Sequence, residues 1–153
     1  RIFDWIHNPF GHGSTDYPAW FSQNKTDLLR IPCFRSNRYE PYLILKKTKD
    51  LILYDERFTG YGKNKIQYIM QLRLSDYRFF MLPRSFITHV PHKPSPSRKA
   101  FDKYQSTHRR EMAEMLEKYE ESVLHAAKTV TMETALCSDP AAKTKYQPFV
   151  NSY

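Results

Sequence analysis

Apolar residues recur at Ile66, Ile69, Met70 and Leu74, three or four positions apart. That spacing predicts a helix over 64–74 with one apolar face. Asn64 is placed to cap it, since its side-chain oxygen can accept from free amides of the first turn. Ser75-Asp76 then breaks the pattern. A longer stripe passes through Tyr104, Met112, Met115, Leu116, Tyr119, Val123, Ala126, Ala127 and Val130. It predicts a helix from about Tyr104 to Thr129 that covers a sheet, with Glu114, Glu117, Lys118 and Glu121 on the outside.

Short apolar runs bounded by Pro and polar residues predict strands. Tyr42–Lys46, after Pro41, is the central strand of this reading. Phe79–Leu82 and Phe86–Val90 flank Pro83-Arg84, and Leu28–Ile31 is a short strand before Pro32. Leu51–Tyr54 is apolar but short. Residues 1–37 are punctuated by Pro9, Gly11, Gly13 and Pro18, which predicts loops and turns. The segment Pro91–Ser97 is Pro-rich, polar and basic, and is expected to be a loop. Two prolines and polar residues after Ala135 predict a loosely held tail over 136–153, with residues 1–135 as the folded portion. The fold class expected is α/β, with α+β as the alternative. Its small mixed sheet would use Tyr42–Lys46, Phe79–Leu82 and Phe86–Val90, packed by the two helices.

Composition narrows the partners. The 153 residues suffice for one modest domain. Tyr (11) and Phe (10) are plentiful while Gly (4) is scarce. Rings with polar tips suit half-buried surfaces and sugar faces. The net charge of +8 favours anionic partners such as nucleotide diphosphates or acidic glycans. The cations are spread along the chain, and neither an RNP-type string nor a recognition-helix signature occurs, so nucleic acid is not expected. Cys33 and Cys137 lie far apart without metal-ligand spacing, which argues against structural zinc and leaves a disulfide open. No run of about 18 apolar residues exists to span a membrane. No signal-peptide pattern is present, and Arg1 followed by an aromatic-rich segment is expected to be an internal position of a longer protein. Asn24-Lys25-Thr26 is a sequon compatible with a secretory lumen.

Three segments carry candidate chemistry. His89 ends the strand-like Phe86-Ile87-Thr88-His89, where a neutral imidazole can ligate a divalent metal; a structural His is the alternative. His92 and Lys93 follow on a Pro-stiffened loop, placed to steady the growing charge of a leaving diphosphate or simply exposed. The string Asp55-Glu56-Arg57-Phe58-Thr59-Gly60-Tyr61-Gly62-Lys63-Asn64-Lys65 holds two glycines that allow close backbone approach. Tyr61 offers a ring face. Asp55 and Glu56 offer a general base, or one of them simply pairs with Arg57.

The order of these parts resembles glycosyltransferase family 49, the LARGE-type and β-1,4-glucuronyltransferase enzymes. The resemblance runs over about residues 11–110. It rests on the Asp55–Lys65 string, on His89-Val90-Pro91-His92-Lys93-Pro94-Ser95, and on Gly11-His12, Thr15-Asp16-Tyr17 and Trp20 ahead of Glu40-Pro41-Tyr42. It implies the acceptor-side half of a GT-A domain, in its C-terminal part. It implies an inverting, metal-dependent transfer from a UDP-sugar to a glycan acceptor, with UDP-glucuronate, UDP-xylose and UDP-N-acetylglucosamine all open as donors.

By the same resemblance His89 would be a ligand of manganese, a divalent metal. His92 and Lys93 would bind the donor. Gly60, Tyr61, Gly62, Asn64, His12 and Asp16 would bind the acceptor. Asn64-Lys65 stand where galactosyltransferase relatives carry a carboxylate, so Asp55 or Glu56 would be the catalytic base. Asp-x-Asp occurs nowhere in the chain. The upstream half of the same protein is therefore the expected partner, and this chain alone is expected to be inactive. A Golgi lumenal, type II membrane protein is implied for the full length. Two other readings stand beside it: a non-catalytic basic binding module for an acidic polymer, and a degenerate, inactive transferase domain.

Overall fold

The computed structural model describes residues 9–22, 27–59, 62–88, 90, 92–126 and 133–138. The elements are α1 (Pro9–His12), α2 (Tyr17–Ser22), β1 (Leu29–Ile31), β2 (Cys33–Phe34), α3 (Asn64–Leu74), β3 (Phe79–Met81), α4 (Pro96–Lys103), α5 (Gln105–Ala126) and β4 (Ala135–Leu136). The architecture is mixed α and β. β1 pairs antiparallel with β3, Leu29 opposite Met81 and Ile31 opposite Phe79. β2 pairs in parallel with β4, Cys33 opposite Ala135.

α3 is the central element. Tyr68, Ile69 and Leu72 pack with Ile31, Phe34, Tyr39, Phe79 and Met81. Met70 and Leu74 pack on the other side with Phe58 and with Tyr119 of α5. A helix flanked by two clusters must bury polar positions too. Gln67 is fully buried, and its side chain accepts from the Asp55 N–H at 3.4 Å and donates to Gln71 Oε1 at 2.8 Å. Burial lowers the pKa of the buried Arg73, and Glu120 opposes that shift. The helix spans the predicted 64–74, but Asn64 is its first residue rather than its cap. Lys63 takes the cap position at φ 63 without a side-chain cap bond, and Asn64 Oδ1 accepts from the adjacent Lys65 N–H at 2.9 Å.

The strand expectations divide. Leu29–Ile31 and Phe79–Met81 form, and they pair with each other. Tyr42–Lys46 is not a strand. Its side chains alternate, with Tyr42, Ile44 and Lys46 exposed while Leu43 and Leu45 pack against the core. A strand needs a ladder neighbour as well as alternation, and among the described residues none pairs with it. Residues 85–88 are likewise irregular, with Phe86 and Ile87 exposed. The expected three-stranded mixed sheet is thus replaced by two two-stranded ones.

The helical end differs in detail. Part of the expected loop over 91–97 is the start of α4. Pro96 stands at its beginning, where a missing N–H costs nothing, and Ser95 Oγ accepts from the Arg98 N–H at 3.1 Å. Tyr104 is exposed and lies between α4 and α5. Met112 and Tyr119 are buried, with Met115, Leu116 and Val123 half-buried beside α3. The expected end near Thr129 lies outside the described residues. Cys33 and Cys137 form a disulfide across a sequence separation of 104. It holds β4 beside β2, where the Cys137 N–H donates to the Phe34 carbonyl at 2.8 Å.

Candidate functional site

The site is built where α3 begins. Gly62 has φ +102, a backbone state that side chains rarely adopt. A Cβ there would stand 3.5 Å from Cε2 of Phe101, so α4 lies directly against this turn. The Gly62 and Lys63 carbonyls accept from the N–H groups of Asn64 and Gln67, both at 2.8 Å. Those two bonds fix where the following side chains project.

Lys65 reaches back across the chain. Its Nζ lies 3.3 Å from Glu40 Oε2 and 5.6 Å from the Tyr42 ring centre. The Glu40 N–H donates to the Gly11 carbonyl at 2.7 Å, which holds Glu40-Pro41-Tyr42 against Gly11-His12. His12, at the end of α1, is half-buried. Burial, and then the Lys65 charge, lower its pKa to about 4. His12 is therefore a neutral imidazole at neutral pH, able to donate and accept. Three stretches distant in sequence thus meet: Gly11-His12, Glu40-Tyr42 and Gly62–Lys65.

Lys63 lies in the same place. It is half-buried, and its pKa is lowered by burial first, then by Arg38 and Arg109, while Glu40 opposes. Arg109 lies 5.8 Å from the Phe101 ring centre. Sequence reasoning did not single out Lys63, Arg38, Phe101 or Arg109. For Lys63 the signal was its position inside the glycine string; for the other three only folding brings them near.

The remaining candidates lie elsewhere or do other work. Asp16 caps α2, its Oδ1 accepting from the Ala19 N–H at 3.0 Å. Trp20 ties α2 to the end of β3 through Nε1–H and the Leu82 carbonyl at 3.1 Å. Asp55 is gripped by Arg57, whose Nε lies 2.9 and 3.1 Å from its two oxygens. Those bonds hold its carboxyl below the usual carboxylate range. The Arg57 guanidinium stands 5.8 Å over Tyr119 of α5, beside an open groove lined also by Glu114 and Lys118. Glu56 is exposed on the same turn. His92 and Lys93 are exposed, with His92 Nδ1 2.8 Å from the Lys93 carbonyl oxygen. His89, Gly60 and Tyr61 lie outside the described residues. Among the described residues no three His, Cys, Asp or Glu side chains gather as a metal set.

Comparison with known proteins accounts for this assembly of motifs. The family model described as "Glycosyl-transferase for dystroglycan" matches residues 4–124. The chain belongs to that family, glycosyltransferase family 49. It is similar to the xylosyl- and glucuronyltransferase LARGE2 of Mus musculus, 38% identical over 95 residues, which are 62% of this chain and 12% of that protein. It is similar to the glycosyltransferase-like protein LARGE of Caenorhabditis elegans, 36% identical over 91 residues, 60% of this chain and 14% of that protein. Human xylosyl- and glucuronyltransferase LARGE1 is 35% identical over 85 residues, 56% of this chain and 10% of that protein. The matched part is thus a small fraction of each relative. No solved structure matches the chain.

Proposed function

We propose that this member of glycosyltransferase family 49 is the acceptor-side, C-terminal part of a GT-A domain that moves a sugar from a UDP-sugar to a glycan acceptor. The observation that carries the reading is the meeting of His12, Glu40, Tyr42 and Gly62–Lys65 from three separate stretches of a family-matched chain. A sugar site needs what these residues offer: ring faces, a neutral imidazole, amide groups and close backbone approach.

The reaction is inverting and manganese-dependent in this proposal, with His89 as one ligand and carboxylates from an Asp-x-Asp outside this chain as others. His92 and Lys93 contact the diphosphate, and Asp55 or Glu56 takes the proton from the acceptor hydroxyl. The grip of Arg57 on Asp55 makes it the weaker base, which favours the exposed Glu56. The full-length protein works in the Golgi lumen.

The partner is the upstream half of the same protein. Its support is the outward face of the Tyr42–Lys46 segment, where Ile44 is 83% exposed. The segment is extended and alternating, and among the described residues no strand pairs with it. Leu53, Phe86, Ile87 and Val90 are also exposed. Such an edge is a template for strand addition.

Calorimetric titration of the complete protein with UDP, with and without manganese, tests the reading. Binding of UDP that requires manganese is expected. A folded complete protein that binds neither would end the transferase reading and leave a binding module.

A further inference from the structure

We infer that Tyr119 of α5 is a positioning residue for the transfer proposed above: its side chain holds the Asp55–Phe58 turn and so fixes where the Glu56 carboxylate stands. The inference rests on the reading of Glu56 as the base, and it names what keeps that base in place.

The turn is closed by the Phe58 N–H, which donates to the Asp55 carbonyl at 3.1 Å. The residues on both sides of Glu56 are tied down. The Asp55 N–H donates to Oε1 of the fully buried Gln67 on α3 at 3.4 Å. Asp55 Oδ1 accepts from the Arg57 N–H at 3.0 Å, and Arg57 Nε lies 2.9 and 3.1 Å from the two Asp55 oxygens. Phe58 is buried against Met70 and Leu74 of α3. The Glu56 carboxylate, by contrast, has no hydrogen bond or ion pair to another described residue. An unengaged carboxylate on a turn fixed at both sides is free to take a proton from a substrate hydroxyl.

Those ties converge on Tyr119. Its ring meets the Phe58 ring edge to face, with centres 5.8 Å apart. The Arg57 guanidinium stands 5.8 Å from the same Tyr119 ring centre, where the negative face of the ring attracts a cation. The Tyr119 hydroxyl shares a hydrogen bond with Gln67, the residue that holds the Asp55 N–H. One side chain of α5 thus touches Arg57, Phe58 and Gln67, and through them both flanks of Glu56. Tyr119 is itself buried, so it acts on the turn and not on the substrate. An aliphatic residue would fill the same space beside Met70 and Leu74, but would supply neither the ring face nor the hydroxyl. A misplacement of about 1 Å at a reacting group can cost about 100-fold in rate. A turn without this support should therefore bind substrate and turn it over slowly.

Steady-state kinetics of sugar transfer by the complete protein tests this, with each variant made alone and on a Glu56→Gln background. Tyr119→Leu should lower kcat by about tenfold or more, with KM for both substrates within about twofold. Tyr119→Phe, which keeps the ring, should retain kcat within about threefold. On the Glu56→Gln background Tyr119→Leu should cost no more than about twofold further, because the carboxylate it positions is already gone. A residue that merely supports the fold would cost the same factor in both backgrounds. Arg57→Lys is the second variant and decides the matter if the leucine variant does not fold: Arg57 is exposed, and a lysine lacks the planar group that reaches Asp55 and the ring together. Its loss in kcat should likewise vanish on the Glu56→Gln background. Equal losses in both backgrounds, a loss confined to KM, or wild-type kcat in Tyr119→Leu would overturn the inference while a low kcat in Glu56→Gln alone left Glu56 standing as the base. Wild-type kcat in Glu56→Gln would end the reading of Glu56 and this inference with it.

Discussion

Lys65 Nζ lies 3.3 Å from Glu40 Oε2, and the same lysine helps to lower His12 to about pKa 4. One cation therefore links the start of α3 to two earlier stretches. Burial is the larger cause of the His12 shift and Lys65 the smaller. Replacing Lys65 by Met should raise the His12 midpoint, read by NMR titration of the imidazole, yet leave it below the ordinary 6.5.

The sign for stability follows from the same shift. His12 is harder to protonate folded than unfolded, so its contribution is complete above pH 6.5 and is lost as pH falls toward about 4. The Tm of wild-type protein should drop over that window, and His12→Gln should reduce the drop. Equal pH profiles for both proteins would contradict the assigned burial.

Gly62 should resist substitution for a backbone reason. At φ +102 an alanine is strained, while its Cβ would meet Phe101 at an ordinary 3.5 Å. Gly62→Ala should cost about 1–3 kcal/mol in denaturant unfolding. Truncating Phe101 in the same chain should not relieve that cost, because the crowding is between the alanine Cβ and its own backbone rather than with Phe101.

The Cys33–Cys137 bond closes a loop of sequence separation 104. Its removal by Cys33→Ala with Cys137→Ala should destabilise the protein by about 2–5 kcal/mol. Thermal unfolding with and without reductant reads this directly. A reductant-insensitive Tm for the wild-type protein would contradict it.

What could be read from the sequence was what local pattern decides. The 64–74 helix announces itself by spacing, and Phe79–Met81 by its apolar run. Tyr42–Lys46 carries a strand's alternation but lacks a neighbour, and pairing is a long-range property that no window of sequence contains. Pro96 misled in the other direction: the prolines around it suggest a loop, while Ser95 and Pro96 together make a helix start. In the site, the glycine string marked Gly62 and Asn64, and the Gly-His pair marked His12. The approach of Phe101 to Gly62, and of Arg109 to Phe101, depends on how α4 and α5 pack, so nothing local signals it. Asp55 illustrates the reverse. Its carboxylate is a candidate base by position, and its neighbour Arg57 engages it.

That engagement separates two candidate bases. If the acceptor proton goes to Glu56, Glu56→Gln in the complete protein should lower kcat by about 100-fold or more. Asp55→Asn should cost less in kcat and more in Tm, because it removes the Arg57 contacts. The opposite ranking would assign the proton to Asp55.

Sugar transfer by the complete protein decides whether this family member is a manganese enzyme. Wild-type protein and His89→Ala are each given a UDP-sugar and a glycan acceptor across a manganese series, and labelled product is counted. Manganese-dependent transfer by the wild type and its loss in His89→Ala are expected, with the same unfolding midpoint for both. A folded wild-type protein that transfers no sugar would refute the transferase reading, and a His89→Ala variant with undiminished manganese-dependent transfer would refute the metal assignment.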